Sequence, residues 1–190
     1  MKRKILGLAI AVVVLAAGYF VSVMKQQDID ADGGQINVSF KLSDLDGVEH
    51  DFAEWDGQHR VLNFWATWCA PCRREIPLLK AFQEQHGADG FQVIGIAVEF
   101  PEPVIAYAKT ADFNYPILVG EQDAMAVAEM SGISFVGLPF TMIVARNGEL
   151  VSAHMGEIHK EYLDDVARVL SQLDRGEIDQ QAASKALRPF

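Results

Sequence analysis

Residues 61–77 read VLNFWATWCAPCRREIP, and this stretch decides how the chain folds. Val61 to Ala66 is a compact apolar run of the kind that forms a buried strand. Two cysteines follow at once, and from Arg73 to His86 apolar residues recur with the period of a helix that packs on one side. The pattern therefore places Cys69 and Cys72 at a strand-to-helix junction.

Strand and helix patterns alternate along the rest of the chain. The predicted strands are 36–40, 61–66, 91–98, 117–119, 140–145 and 150–155, and the predicted helices are 73–86, 102–111, 123–130 and 158–173. Asn147-Gly148, between the last two strands, is a strong signal for a two-residue hairpin turn. Alternation of strands and helices implies parallel pairing, to which the hairpin adds antiparallel strands. The sequence predicts an α/β fold with a mixed central β-sheet flanked by helices on both faces.

The spacing of the two cysteines favours reactivity over stapling. A bridge between residues three apart closes a very small loop, and two cysteines cannot form the framework of a disulfide-rich scaffold. At a helix N-terminus the unpaired N–H groups and the macrodipole stabilise a thiolate, so Cys69 is expected to be the exposed nucleophile. Cys72, one turn on, is expected to be the buried resolving thiol. Pro71 fits the first turn because it has no N–H to lose.

At these residues the sequence resembles the thioredoxin superfamily, and the quoted stretch is most similar to its membrane-anchored TlpA/ResA-like thiol-disulfide oxidoreductases. The similarity runs from about residue 36 to residue 173 and includes the turn at 44–47 and the segment Gly137-Leu138-Pro139. It implies a thioredoxin-like fold in which Pro139 is cis and faces the cysteines. Leu138, Pro139, Pro71 and the predicted surface residue Trp68 are then the candidate substrate-binding residues.

Two departures from the family pattern carry information. Thioredoxins place a buried aspartate where this chain has Asn63, and Glu75, three residues after Cys72 on the same helical side, is the candidate replacement. It matches a glutamate that ResA-like proteins use near their active site. A carboxyl group held in a partly apolar place would have a raised pKa suited to accepting the Cys72 proton. Phe140 stands where threonine is usual and is expected to make the groove more apolar. Glu99, at a strand end, either approaches the site or is a solvated charge, and the second interpretation is favoured because charged strand ends are normally solvated.

Other readings of the cysteines have less support. A zinc site needs two more ligands, and the nearest pair in suitable spacing, His154 and His159, lies far along the chain. Haem attachment requires a histidine directly after the second cysteine, where this chain has Arg73. A thiol peroxidase and a non-catalytic metallochaperone of the same fold stay open as alternatives. No metal and no organic cofactor is expected.

The N-terminus predicts the location of the protein. Residues 5–24 carry no charge and span roughly 30 Å as a helix, enough to cross a bilayer. Lys2-Arg3-Lys4 precedes this run, so the positive-inside rule leaves the later domain on the periplasmic or extracytoplasmic side. A retained single-pass anchor is favoured over a cleaved signal peptide, whose apolar region is usually shorter. The predicted organisation is an anchor at 1–24, a linker at 25–35, the domain at 36–174 and a loosely held tail at 175–190.

Charge and motif together define the expected partners. The chain has 26 acidic and 16 basic residues and a formal charge of −10, which disfavours nucleic acid. The resemblance implies a reductase of protein disulfides, with cytochrome c maturation as one setting and a membrane donor of reducing equivalents.

Overall fold

The computed structural model describes residues 36–188. The predicted anchor at 1–24 and linker at 25–35 lie outside this range. Within residues 36–188, no helix combines the length and the apolar character that a membrane crossing requires.

Seven strands form one mixed sheet. Its central strands are parallel because β3 pairs with β4 and β4 pairs with β5 in the same direction, whereas β6, β7, β1 and β2 are joined by antiparallel pairing. The order across the sheet is β2-β1-β5-β4-β3-β6-β7. The strands are β1 (Lys41–Asp44), β2 (Glu49–Asp51), β3 (His59–Trp65), β4 (Phe91–Ala97), β5 (Ile117–Val119), β6 (Phe140–Val144) and β7 (Leu150–Met155).

Helices cover both faces of this sheet, as predicted. The helices are α1 (Ala70–His86), α2 (Pro101–Ala111), α3 (Gln122–Glu129), α4 (Lys160–Asp174) and α5 (Gln180–Ala186), with short 3-10 turns at Phe52–Trp55 and Gly87–Asp89. Buried residues of α1, α2, α4 and α5 share one apolar cluster with the sheet, and those of α3 belong to the cluster on the opposite face. Two cores therefore sandwich the sheet.

The strand period of two decides which residues reach the disulfide-bearing helix. Along β3, Val61 and Trp65 belong to the cluster that contains α1, and Leu62 and Phe64 belong to the cluster on the α3 face. Asn63 has the same parity as Val61 and Trp65, so its amide projects toward α1. The Asn63 amide therefore lies beneath α1, at a position where the apolar run 61–66 alone predicts a hydrophobic side chain.

Two local predictions differ from the structure. Residues 36–40 were expected to form the first strand, but they make only an isolated bridge, Asn37 to Glu149, and the first strand begins at Lys41. The predicted two-residue turn is a three-residue loop, since Ala145 and Glu149 close it and Gly148 adopts a φ of +89°. The apolar alternation still shows in the burial of Val38 and Phe40, because a segment with little strand pairing can still bury alternate side chains.

The C-terminal tail predicted to be loosely held is packed against the domain. Residues 180–186 form α5, in which Asp179 caps the helix by accepting from the Ala182 N–H. Ala183 and Leu187 are buried in the α1-side core, and the Ser152 hydroxyl donates to the Leu187 carbonyl over 2.7 Å. The helix covers β7, the outer strand on that side. The sequence pattern missed it because only two apolar side chains of a short helix are buried.

The packing of α5 predicts the effect of truncating Leu187. Leu187→Ala is expected to lower the free energy of unfolding by about 2–4 kcal/mol, because it removes a buried side chain from a packed core. Urea unfolding measures the difference. Lys185→Ala, at an exposed position of the same helix, is the control, and equal stability of the two variants would mean that this segment does not pack in solution.

Candidate active site

A disulfide joins Cys69 and Cys72 at the N-terminus of α1. Cys69 is the N-cap residue, with an extended backbone, and its sulfur accepts a hydrogen bond from the Cys72 N–H over 3.3 Å. Pro71 lies in the first turn, as predicted. The N–H groups of this first turn have no intrahelical partners and attract negative charge. The Cys69 sulfur is therefore the one placed to be stabilised as a thiolate.

The exposure of the two cysteines differs less than the sequence predicts. Cys72 is fully buried, as expected, but Cys69 is only 5% exposed in the disulfide form. Solvent instead reaches the flanking residues Trp68 and Ala70. Cys69 is distinguished from Cys72 by its capping position, and a partner must approach over the neighbouring side chains.

The segment before the disulfide is held by a carboxylate. Glu99 follows β4, and its side chain accepts from both the Thr67 N–H (2.5 Å) and the Thr67 hydroxyl (2.9 Å). The favoured interpretation of Glu99 as a solvated charge is therefore wrong, and the alternative, in which Glu99 approaches the site, is confirmed. The two residues are 32 apart in the chain but adjacent at the ends of parallel strands, since Trp65 pairs with Ala97. The register of the sheet, which the sequence does not display, brings them together.

Glu75 is a carboxyl group buried beneath the disulfide-bearing helix. Its side chain has no solvent exposure. One carboxyl oxygen accepts from the Asn63 amide over 3.1 Å, and the other accepts from the backbone N–H of Ile158. Asn63 also donates to the Thr141 hydroxyl over 3.1 Å. Asn63, which departs from the thioredoxin pattern, therefore bonds directly to Glu75, the candidate replacement for the missing aspartate.

The environment of Glu75 raises its pKa to about 7. Burial is the main cause, because it disfavours the charged carboxylate. The hydrogen bonds from Ile158 and Asn63 favour the charged form and oppose the increase, and the nearby charges of Glu157 and Arg74 act in opposite directions. A carboxyl group with a pKa near neutrality can both accept and return a proton at physiological pH.

The Leu138–Pro139 peptide bond is cis, which confirms the conformation that the resemblance implies. Pro139 is buried and directly precedes β6, whose Phe140 pairs with Phe64 near the end of β3. Leu138 is partly buried against both cores. These residues therefore lie at the edge of the sheet where β3 leads into the disulfide.

The expected role of Phe140 in the groove is wrong. Its ring is fully buried on the α3 face, where it packs against Phe64 and Phe135 at centroid distances of 5.7 and 5.8 Å. Thr141, one residue later, turns to the α1 face and meets Asn63. Strand parity explains the difference, because the first residue after the proline points away from the disulfide.

Three large apolar side chains are exposed near this edge. Trp68 is 69% exposed, Phe100 61% and Val136 82%. Trp68 precedes Cys69, Phe100 follows the carboxylate that binds Thr67, and Val136 lies two residues before Leu138. We call Trp68, Phe100 and Val136 the apolar rim. The sequence predicts Trp68 only. Phe100 and Val136 are linked to this edge through their neighbours Glu99 and Leu138, whose positions depend on the folded sheet.

Within residues 36–188, no group of three or more histidine, cysteine, aspartate or glutamate side chains is arranged to hold a metal ion. His154 and His159, the pair weighed for zinc, both line a surface pocket of about 280 Å³ beside α4.

In this mixed sheet, β3 leads into a helix that is capped by a C-x-x-C disulfide, and a cis-proline lies at the same edge. These features define a protein of the thioredoxin superfamily. The family described as Redoxin matches residues 31–173. The chain belongs to the redoxin family and is a ResA-like thiol-disulfide oxidoreductase.

Similar proteins support this assignment. The thiol-disulfide oxidoreductase ResA of Geobacillus kaustophilus is 31% identical over 176 residues, which are 90% of this chain and 97% of the relative. The thioredoxin-like protein YneN of Bacillus subtilis is 27% identical over 169 residues, 86% of this chain and 96% of the relative. Among solved structures, a thiol:disulfide interchange protein of Chlorobium tepidum superposes with a TM-score of 0.66 at 28% identity, covering 74% of this chain and 99% of that one.

The raised pKa of Glu75 predicts a pH dependence of stability. A carboxyl group whose folded-state pKa is about 7, against 4.5 in the unfolded chain, binds its proton more tightly when folded. Stability is therefore lost as the pH rises between these values and is constant above them. From pH 5 to pH 8, the free energy of unfolding of the oxidised protein should fall by about 2–3 kcal/mol relative to that of Glu75→Gln.

Urea unfolding of the disulfide form at several pH values measures this difference, since the joined cysteines do not titrate. Glu84→Gln, at an exposed position of α1, is the matched control and should follow the wild type. A difference between Glu75→Gln and wild type that does not change with pH would show that Glu75 titrates normally.

Proposed function

We propose that the chain reduces disulfide bonds in other proteins. The Cys69 thiolate attacks one sulfur of the partner disulfide, a mixed disulfide forms, and the first partner sulfur leaves as a thiolate. The Cys72 thiolate then attacks the Cys69 sulfur and releases the second partner thiolate. Two electrons pass to the partner, and Cys69 and Cys72 end in the disulfide seen in the structure. The observation that carries this proposal is the capping geometry, in which the Cys72 N–H donates to the Cys69 sulfur.

Glu75 is proposed to accept the proton of Cys72. It lies one turn after Cys72 on the same side of α1, and its pKa of about 7 lets it hold that proton at neutral pH. Resolution of the mixed disulfide requires the Cys72 thiolate, which burial alone disfavours. A proton acceptor in the same buried region offsets this cost, and Asn63 and Ile158 hold its carboxyl group in place.

The setting of the reaction is proposed from the sequence and the relatives. The apolar run at 5–24 anchors the domain on the outer side of the cytoplasmic membrane. A membrane donor of reducing equivalents regenerates the dithiol, and no organic cofactor takes part. The reducing direction is supported by Ala70-Pro71, which lacks the histidine associated with strongly oxidising relatives. Maturation of c-type cytochromes is one process that needs such a reductase.

The test is covalent trapping. Cys72→Ala should accumulate mixed disulfides with partner proteins on Cys69, because the attack that releases them is missing, and reducing agent should free the partners. Non-reducing gels followed by mass spectrometry identify them. Cys69→Ala is the matched control and should trap nothing.

Failure to trap, together with failure of the wild type to reduce protein disulfides, would contradict the proposal. In that case, tight stoichiometric binding of a soft metal by the dithiol would assign a metallochaperone. Consumption of peroxide by Cys69 would assign a peroxidase.

The apolar rim is proposed to dock the partner next to its disulfide. Its three side chains are exposed although burial would stabilise each by about 1.5–3 kcal/mol, and they lie at the edge of the sheet that carries Cys69. Pro71, Leu138 and Pro139 lie at the same edge and are proposed to contact the partner chain. An extended protein segment with apolar residues near its cysteines fits this surface.

Docking on the rim predicts a selective effect of Phe100→Ser. The KM for a protein disulfide should rise about fivefold, corresponding to roughly 1 kcal/mol of lost apolar burial, with kcat unchanged. Steady-state reduction of a protein substrate measures this effect, and turnover of a small-molecule disulfide should stay the same. Val48→Ser alters an exposed valine in the β1–β2 turn and serves as the control. Equal effects of the two variants would remove Phe100 from the docking surface.

A further inference from the structure

An ion pair joins α1 to the segment that connects β7 with α4. Arg74 donates through Nε and Nη2 to the two carboxylate oxygens of Glu157, at 2.9 and 2.5 Å. This two-pronged geometry is the strongest that an arginine and a carboxylate form. Arg74 is largely exposed and Glu157 partly exposed, so solvent screens the charges and the two-pronged geometry is what holds the contact.

The ion pair lies directly beside the contact that holds Glu75. Arg74 precedes Glu75 on α1, and Glu157 precedes Ile158 in the connecting segment, so the two links run in parallel. Arg74 is exposed and Glu75 fully buried, which makes the ion pair the outer link and the bond from the Ile158 N–H the inner one. Because the ion pair and the Ile158 hydrogen bond join α1 to the connecting segment at neighbouring residues, a movement that breaks one contact disturbs the other.

The connecting segment also reaches the cis-proline. The Gly156 N–H donates to the Pro139 carbonyl over 2.9 Å. Gly156 has a φ of +106°, a conformation open mainly to glycine, and this turns the chain between the two contacts. Residues 156–158 thus connect the edge carrying Pro139 to the buried carboxyl group. No regular helix or strand supports these residues, since β7 ends at Met155 and α4 begins at Lys160.

We propose that Arg74 and Glu157 are a positioning pair, whose ion pair holds residues 156–158 so that the Ile158 N–H stays on the Glu75 carboxyl group. Their importance for turnover rests on the proposed function of Glu75 as the proton acceptor for Cys72. Neither residue touches the reacting sulfur atoms in this proposal. Both act through Glu75.

Several groups face Glu75, and their effects on its pKa can be separated. From α1, Arg74 lowers the pKa of Glu75 by its positive charge, and from the connecting segment Glu157 raises it by its negative charge. Asn63 on β3 lowers it by donating a hydrogen bond. Tyr115, before β5, is a buried neutral phenol whose own pKa is raised by burial and by Glu75. Loss of Arg74 removes a positive charge and frees Ile158, and both changes raise the pKa of Glu75.

The experiment compares Arg74→Gln, Glu157→Gln and the charge-swapped double variant Arg74→Glu/Glu157→Arg in the full oxidised protein. The first readout is hydrogen exchange of the Ile158 amide, followed by NMR. It should become about five- to tenfold faster in each single variant, as expected for a weakened hydrogen bond of about 1 kcal/mol. The charge swap restores an ion pair and should return exchange to near the wild-type rate.

The second readout is the titration of the Glu75 carboxyl carbon by NMR. Its pKa should rise by about 0.5–1 unit in Arg74→Gln, the variant in which both effects have the same sign. Lys160→Gln, which breaks the exposed Lys160–Asp164 pair on α4, is the control and should change neither readout. Thermal unfolding of each variant establishes that the domain stays folded.

Unchanged protection of Ile158 in both single variants would overturn the positioning role, as would failure of the charge swap to restore it. The proposed function is tested separately by the rate at which Glu75→Gln resolves the mixed disulfide. A wild-type rate in that variant would remove Glu75 from the reaction while the effect of the pair on Ile158 still stood.

Discussion

The burial of one ionisable carboxyl group, Glu75, organises this protein around its disulfide. A carboxyl group without solvent contact must have hydrogen-bond partners or lose its charge. Glu75 has such partners, and its raised pKa also means that it is partly protonated near neutral pH. Asn63 and Ile158 donate to its two oxygens, and its pKa is raised to about 7. Through these contacts one side chain of α1 is bonded to β3 and to the segment before α4. The helix that carries the cysteines is thereby held against both elements.

The proposed chemistry of the dithiol depends on this arrangement in two ways. The N-terminus of α1 supplies free N–H groups to Cys69, and its direction is set by the sheet edge from which it leaves. Cys72 faces inward, where its ionisation is costly unless a proton acceptor is buried with it. In the thioredoxin pattern a buried aspartate stands at the position that Asn63 occupies on β3. In this chain β3 carries Asn63, and the carboxyl group proposed as the acceptor, Glu75, comes from α1. The two side chains share a hydrogen bond.

Much of the fold follows from local patterns. The apolar run of β3, the helical period of α1 and the alternation of strands and helices are properties of short segments, and these elements were predicted within a few residues. The predictions that failed concern marginal segments. Residues 36–40 make only one bridge, and Ala183 and Leu187 are the only fully buried residues of the described part of the tail. In both cases, contacts with residues far away in the chain decide whether a weak local preference for strand or helix produces a regular strand or helix.

The sequence by itself determined the redox chemistry, because the reactivity of a C-x-x-C pair at a helix start depends on spacing and on the local backbone. It also indicated Glu75, whose position on α1 relative to Cys72 is set by the helical period. Only the tertiary structure decided which groups complete the site. Glu99 reaches Thr67 through sheet register, Ile158 reaches Glu75 across 83 residues, and Phe140 turns away from the groove through strand parity. Contacts of this kind join residues far apart in the chain, and burial and pairing in the folded sheet select them.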